Sequence, residues 1–158
     1  NKEHMRRQTK EEQMRMISPF FIEYEKETLE KLLPTVIDRI SSYGELATVE
    51  ETEFRFFKTR PTLLAEKILW KNGGKEEAIK HLTAVADLIL YCDYSSPEVI
   101  KASIMPYAEE QGKGNVLWPL RVSLSGQDKS VDPFTICYIL GYDETKARIR
   151  LALQVLNA

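Results

Sequence analysis

Apolar side chains recur along this chain every three or four residues over most of its length, and they almost nowhere alternate with period two. That periodicity predicts helix after helix and an all-α fold. Thr9, with Glu12 three residues on, is a capping-box signature for a first helix that runs to about Ser18 and ends at Pro19. Tyr24, Leu29, Leu32, Leu33, Val36, Ile37 and Ile40 then fall on one stripe. Pro34 interrupts that stripe and is expected to kink or split the helix, and Gly44 closes it. Residues 45–57 read as another helix, with Leu46, Val49 and Phe56 or Phe57 inward.

Arg60-Pro61-Thr62 is a break, and it divides the chain into two expected subdomains, residues 1–60 and 61–158. A short helix over 63–70 is stopped by Asn72-Gly73-Gly74. Residues 75–92 form the clearest amphipathic pattern, with Ile79, Leu82, Val85, Ala86, Ile89 and Leu90 predicted buried. Ser95-Ser96-Pro97-Glu98 places a serine cap, a first-turn proline and an acid at the positive end of the next helix. That helix is expected to reach about Glu110, with Pro106 as a flaw, and residues 111–115 to form a turn. Residues 116–126 depart from helical grammar: they are apolar, contain Trp118-Pro119 and hold one charge, Arg121. A polar loop follows over 127–132. Pro133 or Phe134 then opens a helix ending at Gly141, and Asp143 caps the last helix, in which Ala147, Ile149, Leu151, Leu153 and Leu156 alternate with Arg148 and Arg150. Short connections predict a right-angled cluster of helices rather than a long straight bundle.

Composition narrows the chemistry. The 158 residues are 43% hydrophobic and 29% charged, a globular balance with room for one domain or two small helical ones. No apolar run approaches the roughly 20 residues of a membrane helix. Residues 1–13 are charged, so no secretory leader is expected, and an opening Asn1 instead of Met suggests a chain processed or excised from a longer one. Cys92 and Cys137 lie far apart in apolar stretches and read as small buried hydrophobes rather than a disulfide. His4 and His81 are too few and too separated for a zinc site, and His81 reads as a surface or hydrogen-bonded residue. The sequence has no phosphate-binding glycine loop, no nucleophile elbow and no His beside a Ser or Cys. Its acids follow solvated helix faces, as at Glu76-Glu77 and Glu109-Glu110. An active site is therefore not expected.

The net charge of −2 argues against a binder that is basic over its whole surface. Local patches remain open: Arg6, Arg7, Lys10 and Arg15 crowd the start, and Lys113, Arg121, Lys129, Lys146, Arg148 and Arg150 are spread along the end. Glu50, Glu51 and Glu53 lie between them. Arg121, set in apolar sequence, must either be paired internally or reach a cleft. At a cleft its planar guanidinium could stack on a base or fork onto base-edge acceptors.

The run Pro119-Leu120-Arg121-Val122-Ser123-Leu124-Ser125-Gly126, then Pro133-Phe134, then Leu140-Gly141, then the arginine- and leucine-rich residues 146–153, resembles the carboxy-terminal signature of bacterial glutamyl-tRNA synthetases. Asn1 to Arg7, Asp38-Arg39 with Glu45-Leu46, and the aromatic cluster at 54–57 are similar to upstream pieces of that family. The family often has proline where Val131 stands and alanine where Ser123 stands. The resemblance implies two small helical subdomains forming the anticodon-binding helical cluster of a class I synthetase, with the anticodon stem-loop of glutamate tRNA as partner. It implies that Arg121 contacts anticodon bases and that Ser130, Asp132, Pro133 and Phe134 line the anticodon pocket. It also implies that Arg39 reads the third anticodon base, so that the glutamate anticodon is accepted and the glutamine one rejected. Lys129, Lys146 and Arg150 would position phosphates. The parent reaction would join glutamate to its tRNA with ATP and Mg²⁺ on a catalytic domain whose signatures are absent here. This fragment would need no cofactor, and would work as a cytoplasmic monomer away from membranes. The rival reading is a helical protein-interaction module with no nucleic-acid role, supported by the acidic net charge and the Leu-rich amphipathic helices.

Overall fold

The computed structural model describes residues 1–71 and 73–158, and no strand occurs among them. The chain divides into two compact units, Asn1–Thr59 and Arg60–Ala158.

The first unit opens with α1 (Lys2–Arg7), a helix that the charged start of the sequence does not announce, capped by Asn1, whose side chain accepts from the amide of His4. Thr9 caps α2 (Lys10–Ile17) by accepting from the amide of Glu12, as its spacing predicts, and Pro19 lies in the 3-10 turn that follows, Ser18–Phe20. In α3 (Lys26–Arg39) the expected stripe is buried: Leu29, Leu32, Leu33, Val36 and Ile37. Pro34 does not split this helix. It sits on the exposed face, where its ring displaces no core side chain, and α3 runs through it to Arg39, ending before Gly44. Residues 45–57 are helical but not one helix. A 3-10 turn (Tyr43–Glu45) leads into α4 (Leu46–Val49), a wide π turn (Glu50–Phe54) and another 3-10 turn (Arg55–Phe57). The core joins Met5, Ile17, Phe21, Leu32, Ile40 and Leu46 to the rings of Phe54, Phe56 and Phe57.

The second unit contains α5 (Ala65–Ile68), α6 (Lys75–Leu90), α7 (Pro97–Gln111), α8 (Lys113–Ser125) and α9 (Pro133–Asn157). The short helix expected over 63–70 contracts to one turn, and Asn72 of its predicted stop lies outside the described residues. On α6 Leu82, Val85 and Ile89 are buried as expected, but Leu90 is exposed and His81 is buried instead. His81 Nδ1 lies 2.8 Å from the Tyr107 hydroxyl and Nε2 lies 3.3 Å from a Glu77 oxygen. Ser96 caps α7 as read. The turn expected over 111–115 is a single residue, Gly112, at φ 98°.

Residues 116–126, whose sequence departs from helical grammar, are almost wholly α8. The helix packs on α5, α6, α7 and α9 together, so Val116, Pro119, Leu120, Val122, Ser123, Leu124 and Ser125 are all buried. A helix packed against four others shows little amphipathic stripe, and tertiary packing outweighs the poor propensity of Pro119. It stops at Gly126, whose φ of 70° suits glycine and whose amide donates to Val122 O. A Cβ there would also strike Pro61 at 2.5 Å. α9 breaks at Gly141 (φ 81°), where the sequence predicts one helix to end. Cys92 and Cys137 are free thiols, the latter wholly buried, and burial pushes its thiol up to about 12.

The most demanding burial is Arg148, at 2% exposed, although its alternation with Ile149 had placed it among the surface cations. Its Nε donates to Glu144 Oε2 at 2.8 Å and its Nη1 to Leu124 O at 2.6 Å. Arg60 grips the same carboxylate with two prongs, Nε to Oε2 at 2.8 Å and Nη2 to Oε1 at 2.9 Å. The Arg60 hydrogen bond, against the opposing effect of burial and with help from Arg148, holds Glu144 down from 4.5 to about 2.

Removing the acid strands a buried cation. Glu144→Ala is expected to destabilise the second unit by about 3 kcal/mol in urea unfolding. Because the folded carboxyl is the stronger acid, its contribution is complete above about pH 4.5 and is lost as pH falls toward about 2. Wild type should therefore lose stability across that window, and Glu144→Ala should show a flatter profile. Gly141→Ala forces a Cβ onto a left-handed backbone and is expected to cost about 1–2 kcal/mol by the same measurement.

Candidate nucleic-acid interface

Two arginines singled out from sequence, one in each unit, are held in different ways. Arg121 projects from α8 and is half-buried. Its Nη1 donates to Ser130 O at 2.8 Å, Ser130 Oγ at 2.9 Å and Val131 O at 3.2 Å. The internal partner is thus a set of neutral loop oxygens, not an acid. All these bonds come from one nitrogen. Among the described residues Nε and Nη2 make none, so three donor hydrogens stay in hand.

The loop over 126–132 is shaped by these bonds. The Ser130 hydroxyl itself donates to Val131 O at 2.7 Å. Asp132 caps α9, with Oδ1 accepting from the Thr135 amide at 2.9 Å and Oδ2 from the Thr135 hydroxyl at 2.7 Å. Pro133 fills the first turn and is buried. Phe134 is 5% exposed, so most of its ring belongs to the core. Asp132, Phe134 and Thr135 nevertheless form one wall of a hollow of about 340 Å³ whose other wall is Pro97, Glu98 and Lys101 at the start of α7. Of the residues singled out from sequence, Asp132 and Phe134 line this hollow; Arg121, Ser130 and Pro133 do not, and Arg121 is joined to it only through its bonds to the loop just before Asp132. Lys101 and Glu98 face the same hollow. Sequence reading passed them over because they look like an ordinary solvated helix start.

Lys129, Lys146 and Arg150 are all exposed, with Lys146 Nζ 5.8 Å from the centre of the Tyr142 ring. Arg148 cannot join them at the surface. Trp118 donates from Nε1 to Lys67 O at 3.0 Å and lies 5.0 Å from Trp70, which is packing within the unit.

Arg39, in the first unit, closes α3 and is exposed. It forms a two-pronged bond with Glu53: Nε to Oε1 and Nη2 to Oε2, both 2.7 Å. Glu53 was counted from sequence only as part of an acidic excess. The neighbouring Glu50 is 5% exposed, and it accepts from the Tyr24 hydroxyl at 2.7 Å and from Arg55 Nη2 at 2.6 Å. Burial alone would raise the Glu50 pKa, but the bonds from Arg55 and Tyr24 outweigh it and hold it below the usual range. Among the described residues no group of three or more His, Cys, Asp or Glu could hold a metal ion, and no helix is long and apolar enough to cross a membrane.

Residues 12–153 match the family model described as Anticodon binding domain. A glutamate–tRNA ligase of Phocaeicola vulgatus is 32% identical over 163 residues, covering 99% of this chain and 31% of the ligase. One from Bacteroides fragilis is 33% identical over 122 residues, 76% of this chain and 23% of the ligase. Among solved structures, the crystal structure of a glutamate tRNA ligase from Elizabethkingia meningosepticum in complex with its amino acid aligns with a TM-score of 0.74 at 25% identity, over 99% of this chain and 31% of that one. The chain spans about a third or less of the length of these relatives.

Arg121 is the bolt that holds the loop. Arg121→Ala is expected to speed amide hydrogen exchange over residues 127–131 by about tenfold or more, the loss of a charge-assisted bond, with α6 unaffected. Unchanged exchange in the loop would mean that it is shaped without Arg121.

Proposed function

We propose that this chain, which belongs to the anticodon binding domain family, binds the anticodon stem and loop of a glutamate tRNA as the carboxy-terminal part of a glutamate–tRNA ligase. The observation that carries the reading furthest is Arg121. It is a charged, half-buried guanidinium with three donor hydrogens uncommitted, bonded to a loop whose next residue walls a hollow large enough for a nucleobase. Unstacked loop bases present hydrogen-bonding edges and flat faces to such a group. In this reading Arg121 contacts anticodon bases, and the loop oxygens of Ser130 with Asp132, Pro133 and Phe134 shape the pocket. Since Phe134 is mostly core and Asp132 is a helix cap, their part is to define the wall, while Arg121 supplies the donors.

In the first unit Arg39 takes the third anticodon base. Its fork suits acceptors on a base edge, and this is where the glutamate and glutamine anticodons would be told apart. Lys129, Lys146 and Arg150 supply attraction without sequence information. Each unit, 1–60 and 61–158, contributes its own contacts, and the chain works as a cytoplasmic monomer. The parent reaction joins glutamate to tRNA with ATP and Mg²⁺, which we assign to the part of the relatives' length that this chain does not span. The chain by itself is expected to bind tRNA and charge none.

Binding of a labelled glutamate tRNA transcript, followed by anisotropy, tests this. Arg121→Ala is expected to weaken binding by about 1–3 kcal/mol, and Lys129→Ala or Arg150→Ala to weaken it for every tRNA alike while reducing the slope of log affinity against log salt by about one. Binding that ignores salt, or that is the same for a tRNA with an unrelated anticodon, would refute the reading and favour a protein-interaction module.

A further inference from the structure

The bond between Arg39 and Glu53 has a definite geometry. Glu53 engages Nε and Nη2, the side edge of the guanidinium, with both contacts at 2.7 Å. Arginine carries five donor hydrogens, and this arrangement uses two. Three remain: one on Nη2 and one on Nη1 make the end edge of the fork, and the second on Nη1 points back toward Cδ. The Arg39 side chain is 50% exposed and that of Glu53 35%, so solvent reaches the pair. An exposed ion pair adds little to stability. Its larger consequence is to fix the plane and direction of a side chain that would otherwise sample many rotamers.

Glu53 is itself held in place. It stands on the π turn Glu50–Phe54, a wide and uncommon turn that tends to occur at functional sites. Within that turn Glu50 is drawn inward by Tyr24 and Arg55, and Tyr24 also donates to Phe54 O at 3.1 Å. The other nearby acid, Glu45, is committed to the backbone amides of Ser41 and Ser42 at 2.6 and 2.9 Å.

We propose that Glu53 is a positioning residue for base recognition: its carboxylate occupies the side edge of Arg39 so that the end edge is presented, already oriented, to two acceptors on a base edge. This rests on the reading of Arg39 as the contact to the third anticodon base. Glu53 touches no RNA in this scheme and acts only through Arg39.

The test uses the chain with two transcripts, glutamate tRNA and the same tRNA changed only at the third anticodon base. Affinities are measured for wild type, Glu53→Gln and Arg39→Ala. Glu53→Gln, which keeps the size but loses the two-pronged acceptor, is expected to reduce the ratio of the two affinities by about tenfold, chiefly by weakening the glutamate tRNA. The thermal midpoint should not move, which separates positioning from a structural role. Arg39→Ala is expected to collapse the same ratio. If Arg39→Ala collapses it and Glu53→Gln leaves it unchanged, Arg39 reads without help and the proposal is overturned while the functional reading stands. If Glu53→Gln tightens binding to both transcripts, the acid competes with RNA and the proposal is equally overturned. If Arg39→Ala leaves the ratio unchanged, Arg39 does not read that base, and the proposal falls with it.

Discussion

A guanidinium buried at the end of α8 sets the terms for the second unit. Taking Arg148 out of water is costly, and the cost is offset only because Glu144 and Leu124 O meet it at 2.8 and 2.6 Å. The two partners come from different elements, since Leu124 O belongs to the last turn of α8 and Glu144 follows the break in α9. Arg148 thereby satisfies a helix-end carbonyl that has no partner within its own helix, and ties the place where α8 stops to the element that returns past it. Arg60 joins the same carboxylate and brings the start of the unit to the same point. The loop over 126–132 leaves from there. It is fixed at its beginning by Gly126, in its middle by Arg121 and at its end by the Asp132 cap. A loop held in this way has lost its conformational freedom during folding, so a ligand that uses its shape does not have to order it.

Much of this was visible in the sequence wherever one element faces water on one side. The stripe of α3, the buried face of α6 and the caps at Thr9 and Ser96 all follow from local pattern, because a half-covered helix must show its period. The loss of legibility at α8 has the opposite cause. A helix packed on four others has almost no polar face, so its sequence looks patternless, and Pro119 and Trp118 then argue against helix. Arg148 was misplaced for a related reason. Residues 147–156 look alternating, whereas the buried set on that helix is Thr145, Arg148, Ile149, Ala152 and Leu156, a helical period in which a charged residue takes a core position. The spacing of Glu144 and Arg148, four apart, was the available sign that the arginine had a partner. The π turn leaves no mark in composition, since widening one turn depends on what Glu50 meets inside rather than on which residues form it.

The candidate site was legible as residues and not as geometry. Arg121 stood out because it is a lone charge in an apolar run, and of the two alternatives the structure shows the internal partner: one nitrogen serves the loop, while Nε and Nη2 make no hydrogen bond among the described residues. Ser130, Asp132, Pro133 and Phe134 came through resemblance to a family, and the fold gives each a structural duty that sequence could not distinguish from contact. Lys101 and Glu98 had no signal at all, because only the fold brings the start of α7 opposite the start of α9.

The two arginines also differ in how much charge they offer, and that difference bears on how an acidic chain could select RNA. Arg121 is held by carbonyl and hydroxyl oxygens, with no carboxylate paired to it, so on the proposed reading it would both attract and read. Arg39 is paired with Glu53, and its net field is small. A neutralised arginine is a poor lure for a polyanion but a good gauge of a base edge, because its remaining donors reward only the correct acceptors. Attraction would then fall to exposed cations such as Lys129 and Arg150, and discrimination to a group that has given up its long-range pull. On that division of labour a net charge of −2 is no obstacle to binding tRNA. On the proposed reading it would limit binding where the bases are wrong, because a surface that is not basic everywhere gains little from phosphates alone.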